Sequence, residues 1–175
     1  MTSVLRVNNI QASTGNSAMS IDSNGNTTIS QKLSTPARPA FLAYDSSSGW
    51  RDYTAHGGAV DMVWGATRFN IGSHFDTSNG KFTCPIAGIY YFHCWAYVST
   101  AVHKNYLYLQ KNGSAVQSVL ADNHDENVTI QISGLVQCSV NDLIHMKYQC
   151  NIDATGNVYS GGNEQWSGFE GYLIG

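Results

Sequence analysis

Charge is scarce in this 175-residue chain: Asp, Glu, Lys and Arg together make up 12%, and the nine basic residues are scattered against twelve acidic ones for a net charge of -3. So thin and dispersed a positive complement leaves no electrostatic footprint for nucleic acid or for an anionic membrane surface. Proline is rare, at three residues. Long hydrophobic runs are absent, and no stretch reaches the about 18 apolar residues of a membrane-spanning helix. The opening MTSVLRVNNIQAS lacks the apolar core of a signal peptide, so the expectation is a chain that neither spans a membrane nor takes the Sec export route. Catalytic motifs are missing too. There is no Gly-x-Ser-x-Gly elbow, no His-Glu-x-x-His, no Cys-x-x-Cys and no glycine-rich phosphate loop ahead of a helix, and the serines sit in turn contexts. These absences predict a non-enzyme.

What is abundant is aromatic. Ten Tyr, six Phe and four Trp exceed what one small sandwich interior needs, and aromatic residues concentrate where protein surfaces meet, so an oligomer is expected. No segment carries a helical period over ten or more residues. Short alternating runs divided by turn signals predict an antiparallel all-β sandwich, in its jelly-roll version with about ten strands. Pro36 and Pro39 mark a boundary between residues 1–35 and a globular domain over 36–175. The first 35 residues are polar and nearly uncharged, with sparse hydrophobes such as Ile21 and Ile29 around an Asn24-Gly25 turn. Alone, such strands bury too little to fold. They are read either as a tail or linker ordered by a partner, or as a short fibre segment.

The informative stretch is WGATRFNIGSHFDTSNGKFTCPIAGIYYFHC, residues 64–94. It predicts a strand over 68–75, a turn at Asn79-Gly80 and a longer strand from Ile86 onward. That second strand is apolar on both faces: Ile86, Tyr90, Phe92, Cys94, Ala96 and Val98 on one, Ala87, Ile89, Tyr91, Trp95 and Tyr97 on the other, broken by His93. A sandwich strand buries one face, so the other requires a partner. The spacing of Trp64, Asn70, Phe75, Phe82, Gly88, Tyr90 and Phe92 resembles the signature of the globular C1q domain in the C1q/tumour-necrosis-factor superfamily. Trp64 stands where that family usually has Phe, and Cys94 where it has Phe or Tyr. Arg38 to Phe41 resembles the family's opening, LQKNG at 109–113 its mid-domain hairpin, and FEGYLI at 169–174 its last strand. The resemblance implies a trimer of ten-stranded jelly rolls. SIDSNGNTTIS in the first segment resembles the short β-repeats of phage fibre proteins, in which three chains share one axis.

Together these readings predict a non-enzymatic homotrimeric bacteriophage virion protein, a fibre knob or decoration protein made in the host cytoplasm. Residues 1–35 would contact other virion proteins and the head a host-surface glycan or protein, with neither nucleic acid nor membrane as a partner. The alternative is a secreted C1q-like recognition protein. A jelly-roll carbohydrate enzyme would need a carboxylate pair across a cleft. The expected trimer contacts are Ile89, Tyr91, His93, Trp95, Tyr106 and Tyr108. Expected binding residues lie in loops at one end of the sandwich: His103, Lys104, Tyr159 and Trp166, the last two as sugar-stacking rings. No cofactor is expected. The acidic loop offers Asp122, Asp125 and Glu126 as calcium ligands, without the spacing of any defined calcium motif. The six histidines show no zinc-like spacing. Cys84, Cys94, Cys138 and Cys150 are expected as buried thiols.

Overall fold

The computed structural model describes residues 9–11, 17–29, 38–53, 57–99, 104–122, 126–151 and 157–175. The chain divides into two compact units, Met1–Pro36 and Ala37–Gly175. In the first, β1 (Asn9–Gln11), β2 (Ser17–Ile21) and β3 (Thr27–Ile29) form a three-stranded antiparallel sheet in that order. The turn between β2 and β3 is built by Asp22, whose carboxylate accepts the backbone N–H groups of Asn24 and Asn26 and the Asn26 amide, all at 2.8 Å. An Asx turn of this kind orders a short hairpin that has little hydrophobic burial. Ile21 and Ile29 remain exposed.

The second unit runs β4 (Ala40–Tyr44), β5 (Trp50–Arg51), β6 (Val60–Asp61), β7 (Ala66–Ile71), β8 (Phe75–Asp76), β9 (Lys81–Thr83), β10 (Gly88–Val98), β11 (Lys104–Lys111), β12 (Ser114–Asp122), β13 (Val128–Cys138), β14 (Leu143–Cys150), β15 (Val158–Tyr159) and β16 (Gly168–Leu173). The first sheet has the order β5-β15-β10-β16-β4-β7, with β13 on the other side of β10. The second has the order β12-β11-β14-β9-β8, with β6 also on β14. All these pairings are antiparallel. The fold is the expected all-β jelly-roll sandwich. Four of its strands, β5, β6, β8 and β15, hold two residues each, too short to leave a period-two signal in the sequence.

The core lies between the sheets and is largely aromatic. Phe41 stacks on Phe75 (centroids 4.6 Å apart) and on Phe82 (5.0 Å), and meets Phe169 edge-on at 5.0 Å. Tyr90 and Phe92 from β10 join this group, and both are fully buried. Each such ring contributes roughly 2–3 kcal/mol by burial, and offset or edge-on pairs add to that.

Two sequence expectations need correction here. The strand expected over 68–75 stops at Ile71, because Gly72 (φ 82) and Ser73 (φ 58) take left-handed conformations that end extended pairing. The chain resumes as β8 after this turn. Ile86, assigned to the buried face of the long strand, is 44% exposed and precedes the strand, which begins at Gly88. Pro85, immediately before it, has no N–H to donate to a ladder.

Candidate functional site

Strand β10 positions the outward-facing surface of the first sheet. Its even-numbered residues from Tyr90 to Val98 are fully buried, so the odd-numbered ones must face away from the core. Because residues opposite one another in register share a face, the outer surface can be read as rows across β13, β10, β16, β4 and β7. One row is Leu135, Tyr91, Tyr172, Ala40, Ile71. It contains no charged or amide side chain, Leu135 is 66% exposed, and Tyr91 and Tyr172 lie 5.4 Å apart. The next row is Ser133, His93, Glu170, Leu42, Phe69. His93 Nδ1 sits 3.3 Å from Glu170 Oε1 and Nε2 sits 3.4 Å from Gln131 Oε1, while its ring stacks on Trp95 at 5.2 Å. The interruption of the apolar face thus has partners on both sides. Ile89, also on this face, is exposed.

A second feature occupies the far end of β10. Tyr97 lies opposite Tyr159 of β15, which lies opposite Trp50 of β5, so three strands carry one aromatic row. Trp50 stacks on Tyr97 at 5.8 Å, and Trp166 meets Tyr97 at 4.8 Å and Tyr159 at 5.4 Å, both edge-on. The loop holding Trp166 is pinned to β10: Trp95 Nε1 donates to the Gln165 carbonyl (2.9 Å), and the Ser167 hydroxyl accepts from the Tyr97 N–H (3.0 Å) while donating to the Tyr159 carbonyl (2.6 Å). Trp166 Nε1 donates to Glu164 Oε2 at 2.7 Å. Trp50 and Trp166 are nonetheless 41% and 42% exposed. The result is a fixed, half-exposed aromatic shelf with polar groups at its rim.

Position gives the shelf its significance. Leu173 N–H donates to the Pro39 carbonyl and Ile89 N–H to the Gly175 carbonyl, so both chain ends of this unit lie at the start of β10. The shelf lies at its other end.

The predicted binding residues partly converge. Tyr159 and Trp166 are brought together, and Lys104 begins β11 at the same end, its N–H donating to Asn151 Oδ1 at 2.9 Å. His103 lies outside the described residues. Trp50 and Tyr97 were absent from the predicted set; the outward parity of Tyr97 next to Trp95 was a usable signal, whereas Trp50 joins only through strand pairing. The expected trimer residues separate. Ile89, Tyr91, His93 and Trp95 share the first sheet's outer face, but Tyr106 and Tyr108 stack on each other (6.2 Å) on the outer face of the second sheet, where the Tyr108 hydroxyl donates to Gln149 Oε1. Strand parity is legible in sequence, but which of two sheets a strand joins is not. Of the calcium candidates, Asp122 ends β12 opposite Lys104, Glu126 is exposed before β13, and Asp125 lies outside the described residues. Among the described residues, no group of three His, Cys, Asp or Glu side chains is placed to hold a metal ion. Nor, among the described residues, is any helix long and apolar enough to cross a membrane.

The architecture is a two-sheet jelly roll whose first sheet carries an outward apolar row and a half-exposed aromatic shelf. The family model of the C1q domain matches residues 40–174, and the chain belongs to that family. The mouse protein "Complement C1q tumor necrosis factor-related protein 3" is 24% identical over 115 residues, covering 65% of this chain and 44% of its own length. Its human counterpart is 33% identical over 58 residues, 33% of this chain and 24% of that protein. The chain therefore spans less than half the length of these relatives. Among solved structures, the globular domain of zebrafish complement 1qA superimposes with a TM-score of 0.59 at 16% identity, covering 78% of this chain and 98% of that one. Eiger TNF from S. frugiperda does so with a TM-score of 0.61 at 10% identity, covering 79% and 94%. At these identities the two structures share the fold.

Proposed function

We propose that this chain is the protomer of a homotrimeric, non-enzymatic bacteriophage virion protein. It acts as a fibre knob or decoration protein whose C1q unit faces outward and whose first 35 residues join it to other virion proteins. One observation carries the trimer: the row Leu135, Tyr91, Tyr172, Ala40, Ile71 crosses five strands without a charge. Exposed apolar surface of that extent is what a self-association face requires. The fibre assignment for residues 1–35 is supported by the β2-β3 hairpin, whose Ile21 and Ile29 stay exposed and would be covered when three chains share an axis. The shelf, at the end of the unit away from Pro39, suits a receptor-facing role toward a host-surface glycan or protein.

Light scattering on the full chain is expected to give three times the chain mass. Tyr91→Arg, which sets a charge in the middle of the apolar row, is expected to give a folded monomer. A wild-type monomer would end the trimer reading. Mass spectrometry of purified particles must then find the chain in the virion, and its absence there would end the virion reading while leaving the trimer intact.

A second reading, which the C1q-like resemblance raises, is a secreted recognition protein. It expects disulfides among the four cysteines and occupied Asn-x-Ser/Thr sequons, of which the chain has three, at Asn26, Asn112 and Asn127. Asn112 is committed structurally, since its amide donates to Asp142 Oδ1 (2.7 Å) and accepts the Leu143 N–H (2.8 Å). Unmodified sequons after expression in a secreting host would remove this reading.

A further inference from the structure

Asparagine is followed by glycine three times, at Asn24-Gly25, Asn79-Gly80 and Asn112-Gly113. In such a pair the glycine nitrogen, with no Cβ beside it to block approach, reaches the asparagine Cγ once the carboxamide swings toward it. The three pairs are alike in sequence, but the structure holds their carboxamides differently. Asn79 Nδ2 donates to Asp76 Oδ2 at 2.7 Å, and its Oδ1 accepts the Lys81 N–H at 3.0 Å. Gly80 beside it is buried, and a Cβ there would come to 2.2 Å from the Met62 carbonyl oxygen. Asn112 is held at both ends too, Nδ2 donating to Asp142 Oδ1 at 2.7 Å and Oδ1 accepting the Leu143 N–H at 2.8 Å. Asn24 is tied through its backbone, its N–H donating to Asp22 Oδ1 at 2.8 Å. Among the described residues its carboxamide has no partner. Asn24 and Gly25 are both exposed, and a Cβ on Gly25 would meet nothing within 4 Å. The bond that has to open at this pair is the one from the Gly25 N–H to the Asp22 carbonyl, at 3.1 Å.

We propose that Asn24 is a self-modifying site, at which the folded chain loses an amide, gains a carboxylate and thereby opens the β2-β3 hairpin. The Gly25 nitrogen gives its proton to solvent and attacks Asn24 Cγ, forming a new C–N bond. The Cγ–Nδ2 bond breaks, and Nδ2 takes a proton from solvent and leaves as ammonia. Water then opens the resulting five-membered imide at either of its two carbonyls. One opening leaves aspartate at position 24; the other leaves isoaspartate, in which the main chain runs through the side-chain carbon. In sum, an amide and one water become a carboxylic acid and ammonia, with no change of oxidation state. The turn is badly placed to absorb either product. The Asp22 carboxylate already accepts the Asn24 and Asn26 N–H groups and the Asn26 amide, so a second carboxylate two residues away repels it. The extra main-chain carbon of isoaspartate also carries Asn26 out of reach of Asp22. Ile21 and Ile29, both exposed, bury too little to hold the strands together without that turn.

The test ages the full-length chain in mildly alkaline buffer and follows aspartate and isoaspartate at each Asn-Gly pair by peptide mapping and mass spectrometry. In the folded chain, conversion at Asn24 is expected to run about tenfold or more ahead of Asn79 and Asn112, because each of those must first break two side-chain hydrogen bonds. In urea, where those bonds are gone, the three pairs are expected to convert at similar rates. Equal rates in the folded chain, or an unchanged Asn24 after a time that converts all three in urea, would overturn the proposal. Asn24→Gln adds one carbon to the side chain and disfavours the ring closure, so its peptide is expected to stay unmodified. Conversion persisting in that peptide would place the chemistry on Asn26 and refute Asn24 as the site. Limited proteolysis of the aged samples is expected to cut wild type faster than Asn24→Gln between residues 21 and 27; equal cutting would refute the opening of the hairpin.

Discussion

Asn70 is the residue whose removal should be most instructive. Its carboxamide makes two reciprocal bonds to one backbone position: Oδ1 accepts the Phe75 N–H at 3.1 Å and Nδ2 donates to the Phe75 carbonyl at 2.8 Å. The side chain stands in for a missing strand across residues 72–74, and it holds Phe75 where that ring stacks on Phe41 at 4.6 Å. In Asn70→Ala both Phe75 backbone groups lose their partner beside a buried ring. An unsatisfied buried donor or acceptor costs about 1–3 kcal/mol, so the pair is expected to cost roughly 2–4 kcal/mol, with partial access of water near this turn favouring the lower half. Asn70→Asp keeps the acceptor for the N–H but turns the donor into a second oxygen facing a carbonyl, so it should lose at least half as much. The assay is urea unfolding of wild type and both variants at one fixed protein concentration, since association contributes to stability. A shift in midpoint at unchanged slope is the expected signature. A loss below about 0.5 kcal/mol for Asn70→Ala, within the range of ordinary surface changes, would refute the account of this motif.

Three further outcomes can be measured. Gly171 lies under the Phe92 ring, where a Cβ would come to 2.4 Å from Cδ1 and 3.0 Å from the Phe41 ring; Gly171→Ala is expected to cost about 1–3 kcal/mol by overpacking, readable in the same unfolding assay. The Asp142 carboxyl is held at about 2, below its ordinary 3.8, first by the Lys111 ammonium and then by bonds from the Ser139 N–H and the Asn112 amide. A depressed carboxylate contributes stability above pH 3.8 that disappears as pH falls through about 2, so unfolding midpoints should drop across that window more steeply for wild type than for Asp142→Asn. Under the receptor-facing role proposed above, Trp50→Ala and Trp166→Ala are expected to weaken binding to host cells by about tenfold or more, since aromatic anchors at a binding face carry about 2 kcal/mol or more, while leaving the oligomer mass unchanged; equal binding would exclude the shelf as the receptor face.

Much of the head was legible because its signals are local. The Asn79-Gly80 turn and the long strand after Ile86 were readable from turn residues and period-two alternation. The apolar outer parity of β10 was likewise readable, and the structure leaves Ile89 on that face exposed. The first sheet's row of Leu135, Tyr91, Tyr172, Ala40 and Ile71 was only partly anticipated, because its five residues come from five strands and sequence alone gives no register between strands.

What the amino-acid order determined by itself was the all-β class, the turns at Asn24-Gly25, Asn79-Gly80 and Asn112-Gly113, and the two-faced central strand. These depend on side-chain alternation and on residues that tolerate left-handed backbone, both of which act within a few positions. Tertiary structure alone decided that Tyr106 and Tyr108 face away from Tyr91, and that Trp50 completes a row with Tyr159 and Tyr97. Each of these depends on which strands become neighbours across long sequence separations. That choice is made by collective burial of the aromatic core, and no single stretch of the chain encodes it.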